Sequence, residues 1–295
     1  MVEEYLFPET VRDVVTVLDE RNGRARTIAG GTDLMLDVAN LSVQPKCFVD
    51  LRNVRELEGV YERGGSIVIG AKTTHAICAG HPLVRRHAPA LSTGCGVIGS
   101  TQIRNIATLA GNVASANPAA DSAVVLTALE AVCVVVSRDG SRDISMPEMY
   151  AGVGRSSIDS SRELITHIRF PAAVPGKGSA YERLSQRKGL SLPMVCAAVT
   201  LRISGGVIEG STVVAAPLAP GPTRIFQAEA FLAGRTPDEE TFAQAGAIAA
   251  ESVRFRSSPI RGSAEYRHRA LAVLVRRALG RAAADAVKKE GTPCR

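Results

Sequence analysis

The sequence predicts an α+β chain in two parts, and three observations carry that prediction. Residues 11–171 alternate between β-branched runs and helical spacings of apolar residues, an α/β pattern. Residues 172–180, AAVPGKGSA, are rich in Pro, Gly and Ala and read as a linker. Beyond them the character changes, and a run of strand patterns precedes a run of helical ones. At 295 residues and 45% hydrophobic, the chain is long enough for two domains with sizeable cores. The expected boundary lies near residue 176, giving domains 1–176 and 177–295.

Taken in order, TVRDVVTVLDER places Val11, Val14, Val15 and Leu18 at helical spacing. ARTIAG reads as a strand, TDLMLDVAN as a helix, and CFVDL and SIVIGA as strands. HAICAG and PLVRRHAPALSTG are helical, as is DSAVVLTALEA. VCVVVSRDGSRDISM predicts a hairpin turned at Asp139-Gly140, and ELITHIRFP a strand ended by Pro171. In the second part, SAYERLS and MVCAAVTLRISGGVIEGSTVVAA predict antiparallel strands with a turn at Gly205-Gly206. Three helices are expected after them: TRIFQAEAFLAG, DEETFAQAGAIAAESV opened at Pro237-Asp238, and SAEYRHRALAVLVRRALGRAA.

Composition excludes several classes. The net charge of +6 is spread among interleaved acids, and aromatics make up only 4%, so nucleic-acid binding is not expected. No apolar run is long enough to span a membrane. MVEEYLFPET is acidic and has no apolar h-region, so no signal peptide is expected and a cytoplasmic location is. Cys47, Cys78, Cys95, Cys133, Cys196 and Cys294 form no C-x-x-C pair and no group with His, so they read as reduced thiols, most of them small core residues, with no metal site.

Two glycine motifs carry the functional argument. In TIAGGTDLML, a strand meets Gly30 and Gly31 and then a helix. Backbone N–H groups at such a turn, joined by the free N–H groups and partial positive charge of the helix start, form a pyrophosphate cradle. Without a Cβ, the glycines permit close backbone approach. Thr32 offers a hydroxyl to phosphate and a helix cap. Asp33, a poor phosphate neighbour, suits capping or a sugar hydroxyl. An empty strand–Gly-Gly–helix turn has the same sequence, and both readings stay open on this motif alone. The motif is neither G-x-G-x-x-G nor a P-loop with its Lys. In QIRNIATLAGNVASANPAADS, a β-branched run meets a small-residue turn at Ala110-Gly111-Asn112. Small residues follow, Pro118 stiffens the loop, and Asp121 opens a helix where it could accept bonds from sugar or ribityl hydroxyls. Two such loops in one α/β domain point to a long dinucleotide held by backbone at two places.

Together these residues resemble the FAD-binding (medium) subunit of the xanthine dehydrogenase and carbon monoxide dehydrogenase family of molybdenum hydroxylases. AGGTDL matches the first flavin loop; QIRN-ATLAGN followed by SANPAAD matches the second. DLRNVRELEGV, IGAKTTHAIC, ELITHIRFP and SPIRGSAEYRHRALAVLVRRAL match further segments, so that the resemblance covers nearly the whole chain. It implies a vanillyl-alcohol-oxidase (PCMH)-type FAD-binding domain of two α/β subdomains, followed by a C-terminal domain of antiparallel sheet plus helices. By position it assigns Thr27, Ile28, Ala29, Gly30, Gly31, Thr32, Asp33 and Leu34 to the first pyrophosphate loop. Thr108, Leu109, Ala110, Gly111 and Asn112 fall to the second. Asp121 holds a flavin hydroxyl, Ile98 and Ile165 pack near the cofactor, and Arg183 stands where relatives often carry Lys.

The chain departs from the family pattern at Ala110, where the first glycine of Gly-Gly-Asn is usual. A positive φ there would cost Ala about 1 kcal/mol or more, so a position requiring only a small side chain is expected. No cysteine-rich insert follows Asn112, so the [4Fe-4S] cluster of some relatives is not expected. Neither loop has His or Cys for attaching the flavin, so FAD should be non-covalent. His75 and Cys78 could form a catalytic pair; a surface His at a helix start and a core Cys are expected instead. Cys95 should be a packed thiol, Arg104 and Asn105 should fix the second loop, and Arg261, Glu265 and Tyr266 should serve capping or contacts.

The residues themselves offer no general base, metal set or nucleophile elbow, which fits an electron carrier whose cofactor does the chemistry. The resemblance implies electrons taken from a small subunit with two [2Fe-2S] clusters, which serves a large molybdenum-cofactor (molybdopterin) subunit. FAD would then pass them to NAD, a quinone or oxygen. A dimer of heterotrimers is the assembly implied. Two alternatives remain: a self-sufficient flavin oxidase or reductase on this fold, and a colourless binding protein with empty turns.

Overall fold

In a computed structural model, residues 2–290 are described; Cys294, one of the expected thiols, lies outside them. The first part holds two sheets. One is short and parallel, with Cys47–Asp50 at its centre between Glu4–Leu6 and Ala25–Ile28. The strand at Glu4–Leu6 went unread because it spans three residues and has no buried apolar alternation. Helix Val11–Glu20 covers this sheet with Val14, Val15 and Leu18, and Thr10 and Asp13 form a reciprocal capping box at its start.

The other sheet has five antiparallel strands, ordered Val60–Arg63, Ser66–Gly70, Leu164–Pro171, Val132–Ser137 and Gly140–Ser145. The hairpin turns where expected, with Ser137 opposite Gly140. The last of these strands in sequence, Leu164–Pro171, lies at the sheet's centre and pairs with strands from residues 66–70 and 132–137. In the chain between the strands Ser66–Gly70 and Val132–Ser137 run short helices, His75–Gly80, Pro82–His87, Pro89–Gly96, Thr101–Ile106 and Leu109–Ala114. Proline at the first turn explains why the expected helix over 82–94 is two helices.

The second part is an antiparallel sheet in the order Lys177–Leu184, Val195–Ser204, Val207–Ala216, Thr223–Arg224. The linker expectation is thus half right: residues 172–176 are irregular, and the rest begins a strand. Likewise Thr223-Arg224 is a strand, and the helix expected there starts only at Phe226. Helices Glu239–Glu251 and Ala264–Glu290 follow, the former capped by Asp238 as expected.

The run VCAAV reads as unbroken hydrophobic because its strand is buried on both faces. Val195, Ala197, Val199 and Leu201 pack in the core under the C-terminal helices. Cys196 and Ala198 alternate with them and join the core of the first part, together with Tyr181, Val214 and Ala216. Against that second face lies helix Asp121–Ala128, buried at all eight of its residues. Ser179 Oγ also accepts the Ala90 N–H (3.3 Å), and Arg224 pairs with Glu130 (3.0 Å), so polar contacts join the two parts as well.

Candidate functional site

Strand Ala25–Ile28 delivers the chain into Ala29-Gly30-Gly31-Thr32, and helix Leu34–Ala39 follows from an N-cap at Asp33. Gly31 has φ +66°, a left-handed conformation that favours glycine. Gly30 is required for another reason. A Cβ there would stand 2.3 Å from the Ile106 carbonyl oxygen and 2.9 Å from Ala107 Cα. Its missing side chain is therefore filled by the backbone of the second loop, and the two loops touch at this point. No side chain caps the Leu34–Ala39 helix, so the expected capping roles of Thr32 and Asp33 are corrected. Among the described hydrogen bonds, none is donated by the Gly31, Thr32 or Asp33 amides. They form a group of unpaired donors at the mouth of the turn.

The second loop is not the strand-to-turn unit that its β-branched residues predict. It is two one-turn helices, each started by a hydroxyl cap. Ser100 Oγ accepts from Ile103 N (3.2 Å), and Thr108 Oγ1 from Gly111 N (3.0 Å). Local capping outweighs β-propensity in so short a segment. Ala110 is buried inside the second of these helices and is not among the residues of positive φ, so only its small size is used. The loop is held to the preceding segment by His75 N to Ala107 O and Leu109 N to Thr73 O, both 3.0 Å. Asn112 Oδ1 accepts from Ser122 Oγ (2.7 Å), which ties the loop to the wholly buried helix. Arg104 Nη1 donates to the carbonyl of Ile98 (2.9 Å) and so fixes the approach to the loop.

The loops frame a cleft of about 420 Å³. Thr27 to Leu34 all line it, and so do Ile98, Thr108, Ala110, Gly111, Asn112 and Ile165. Leu109 does not; it is a core residue. Leu164 and Ile158 complete an apolar wall, while Arg26, Asp37 and Glu163 add charge. These five were not singled out in the sequence: Arg26 and Asp37 flank the first glycine motif, Glu163 and Leu164 open the strand segment, and Ile158 stands in a stretch with no motif. Ile158 and Glu163 belong to an irregular approach to the strand that carries Ile165.

Asp121 and Arg183 are brought together, but outside the residues that line the cleft. Asp121 is held by the protein's own groups. Its carboxylate receives the Tyr181 O–H and Arg183 Nη1 (3.0 Å for the latter), under the C-terminal sheet. Burial pushes its pKa up to about 6, against the opposing pull of Arg183 and of the Tyr181 hydrogen bond. Arg183 also donates to the carbonyls of Val97 (3.3 Å) and Ser191, so it braces the segment leading to Ile98 from behind.

His75 is at a helix start, as expected, but it is not on the surface. It is fully buried, borders the cleft, and neither ring nitrogen has a hydrogen-bond partner among the described residues. Burial, helped by the Arg104 charge, lowers its pKa to about 4, so the ring is neutral. An unpartnered buried polar group of this kind costs about 1–3 kcal/mol. Cys78 and Cys95 are packed thiols; the Cys78 contact and burial hold the Cys95 thiol well above its ordinary range. The described cysteines are all free and buried, and no metal-binding group of His, Cys, Asp or Glu exists among the described residues.

An FAD pyrophosphate fits these residues on three counts: unpaired amides at the first loop, a second loop in backbone contact with it, and an apolar wall for a ring. Comparison with known proteins agrees. Residues 1–173 match the family described as the FAD binding domain in molybdopterin dehydrogenase, and residues 179–282 match the CO dehydrogenase flavoprotein C-terminal domain. The carbon monoxide dehydrogenase medium chain of Afipia carboxidovorans is 32% identical over 283 residues, 96% of this chain and 97% of that one. The nicotine 6-hydroxylase medium subunit of Paenarthrobacter nicotinovorans is 30% identical, over 95% and 97%. Among solved structures, carbon monoxide dehydrogenase from Hydrogenophaga pseudoflava superposes with a TM-score of 0.88 at 29% identity, covering 97% of this chain and 98% of that one. Quinoline 2-oxidoreductase from Pseudomonas putida 86 gives 0.88 at 28%, with the same coverage. The chain belongs to the molybdopterin dehydrogenase flavoprotein family, the FAD-binding medium subunits of oxidoreductases of the carbon monoxide and xanthine dehydrogenase type.

Proposed function

We propose that this chain is the FAD-carrying electron-transfer subunit of a cytoplasmic molybdenum hydroxylase. Its electrons come from the [2Fe-2S] clusters of a small subunit serving a molybdenum-cofactor large subunit, in a dimer of heterotrimers. They leave to NAD, a quinone or oxygen. The observation that carries the reading is the direct contact of the two glycine-containing loops at Gly30 and Ile106, beside unpaired amides. Family membership supports the partner subunits, and among the described residues no helix is long and apolar enough to cross a membrane.

The bound flavin supplies the electron chemistry. The chain's residues do the rest. Amides of Gly31, Thr32 and Asp33 bind phosphate oxygens. Thr108 keeps the second loop helical so that Ala110, Gly111 and Asn112 face the cleft. Ile98, Leu164 and Ile165 exclude water from the ring, and Arg183 holds the Ile98 segment in place through the Val97 carbonyl. The domain boundary near residue 176 is supported by the gap between the two family matches.

The visible spectrum of the purified chain tests the reading, with the chromophore released by acid and identified by chromatography. Release of FAD is expected, and co-purification with the two partner subunits should follow in a pull-down. A colourless chain that also fails to bind added FAD would sink the proposal.

A further inference from the structure

His75 is the one buried side chain bordering the cleft whose polar atoms the fold itself leaves unused among the described residues. Its backbone is fully engaged, since its N–H donates to the Ala107 carbonyl (3.0 Å), while Thr74 pairs with Thr108 across a short bridge. Its backbone is thus tied to Ala107, the residue whose Cα fills the space a Gly30 side chain would take, and it lies among the residues that line the cleft. Burial, with the Arg104 charge nearby, keeps the imidazole neutral, with one N–H to donate and one lone pair to accept. Cys78 and Cys95, on the helices His75–Gly80 and Pro89–Gly96 packed together here, pair with each other. A structural histidine in such a position would bond a carbonyl or hydroxyl of the fold; this one bonds none.

We propose that His75 is a cofactor-binding residue, its ring N–H donating to a pyrophosphate oxygen of FAD at the point where the two loops meet. The ring has no solvent-accessible surface, so binding requires a small parting of the cleft floor over it. The inference rests on the FAD reading above, and the two fail in different ways.

The experiment titrates FAD into the flavin-free full chain by fluorescence quenching, for the wild type, His75→Leu and His75→Gln. His75→Leu should match or exceed the wild type in flavin-free Tm, because it removes an unpartnered polar ring, yet raise the Kd for FAD at least fivefold. His75→Gln, which keeps a donor, should recover most of that affinity. A merely structural role would move stability and affinity together. If His75→Leu cannot be folded, nitrogen NMR of the wild-type chain decides, since only five histidines need assignment. The His75 ring nitrogens should shift on FAD saturation. Wild-type affinity in His75→Leu, or unmoved His75 ring signals at saturation, overturns the proposal. A wild type that binds no FAD instead overturns the functional reading beneath it.

Discussion

Gly30 and Gly31 stand side by side and are required for different reasons, which their substitution should separate. Gly30→Ala places a methyl against the Ile106 carbonyl, so the loops must part. Destabilisation of about 1–3 kcal/mol is expected, along with loss of flavin. Gly31→Val meets only side-chain atoms of Ile28 and Met35, but must hold φ +66°. It should abolish flavin binding while leaving most of the fold intact, as read by circular dichroism beside acid-released FAD. Full FAD occupancy in Gly31→Val would refute the loop assignment. At Asp121 the test is pH. Its folded pKa of about 6 lies above the ordinary 3.8, so its stabilising contribution is complete below that ordinary value and lost as pH rises through 6. The Tm of the wild type relative to Asp121→Asn should therefore fall between about pH 4 and 6.5 and level off above. His75 acts in the opposite sense: its lowered pKa contributes stability above 6.5 that is lost as pH falls toward 4. Variant differences, not the raw pH profile, isolate each group. Both glycines were legible in the sequence. That Gly30 faces a second loop, and that the ring of His75 is buried, depends on contacts between segments 76 and 32 residues apart, which no local pattern records.

Among elements, the long helix Ala264–Glu290 is seated by two glycines on different partners. A Cβ at Gly178 of the first strand would be 2.0 Å from the Ala282 carbonyl oxygen, and one at Gly246 of the neighbouring helix 2.4 Å from that of Ala272. Gly178→Val should lower the Tm markedly, by an overpacking cost of about 1–3 kcal/mol or more. Near the helix start, buried Arg267 donates to the carbonyls of Met194 (3.0 Å), Arg256 (3.0 Å) and Pro217 (2.6 Å) and lies over the Phe255 ring. Arg267→Ala leaves three carbonyls without that donor, and urea unfolding should show a loss of about 2–4 kcal/mol. The β-branched and apolar runs and the Gly205-Gly206 turn made the strands of the second part readable, and the spacing of apolar residues did the same for the long helices. The second loop was misread because two hydroxyl caps, Ser100 and Thr108, impose helix on β-branched residues. The strand Glu4–Leu6 escaped notice because its pairing partner at Cys47–Asp50 supplies nearly all of its structural information.

The two parts of the molecule are coupled through shared burial. Helix Asp121–Ala128 is covered by its own domain and by the C-terminal sheet, and Tyr150 packs where a Cβ on Gly221 would lie 2.6 Å from its ring. A chain truncated after residue 176 would expose to water the face of this helix that lies against the C-terminal sheet. It is expected to aggregate, whereas a stable monomeric fragment by size-exclusion chromatography would show that the sheet is dispensable. The two-part organisation was visible as a change in pattern, but not the sealing of one part by the other. Strand Leu164–Pro171 adds an element of time. It occupies the middle of its sheet and brings Leu164 and Ile165 to the cleft, yet the ribosome delivers it after every other strand of that sheet. A nascent chain halted before residue 164 would carry both glycine loops and neither half of the sheet joined to the other. Flavin loading is therefore expected only after this centre strand has joined the two halves of its sheet, and cells starved of flavin should accumulate a completed chain awaiting its cofactor rather than a stalled one.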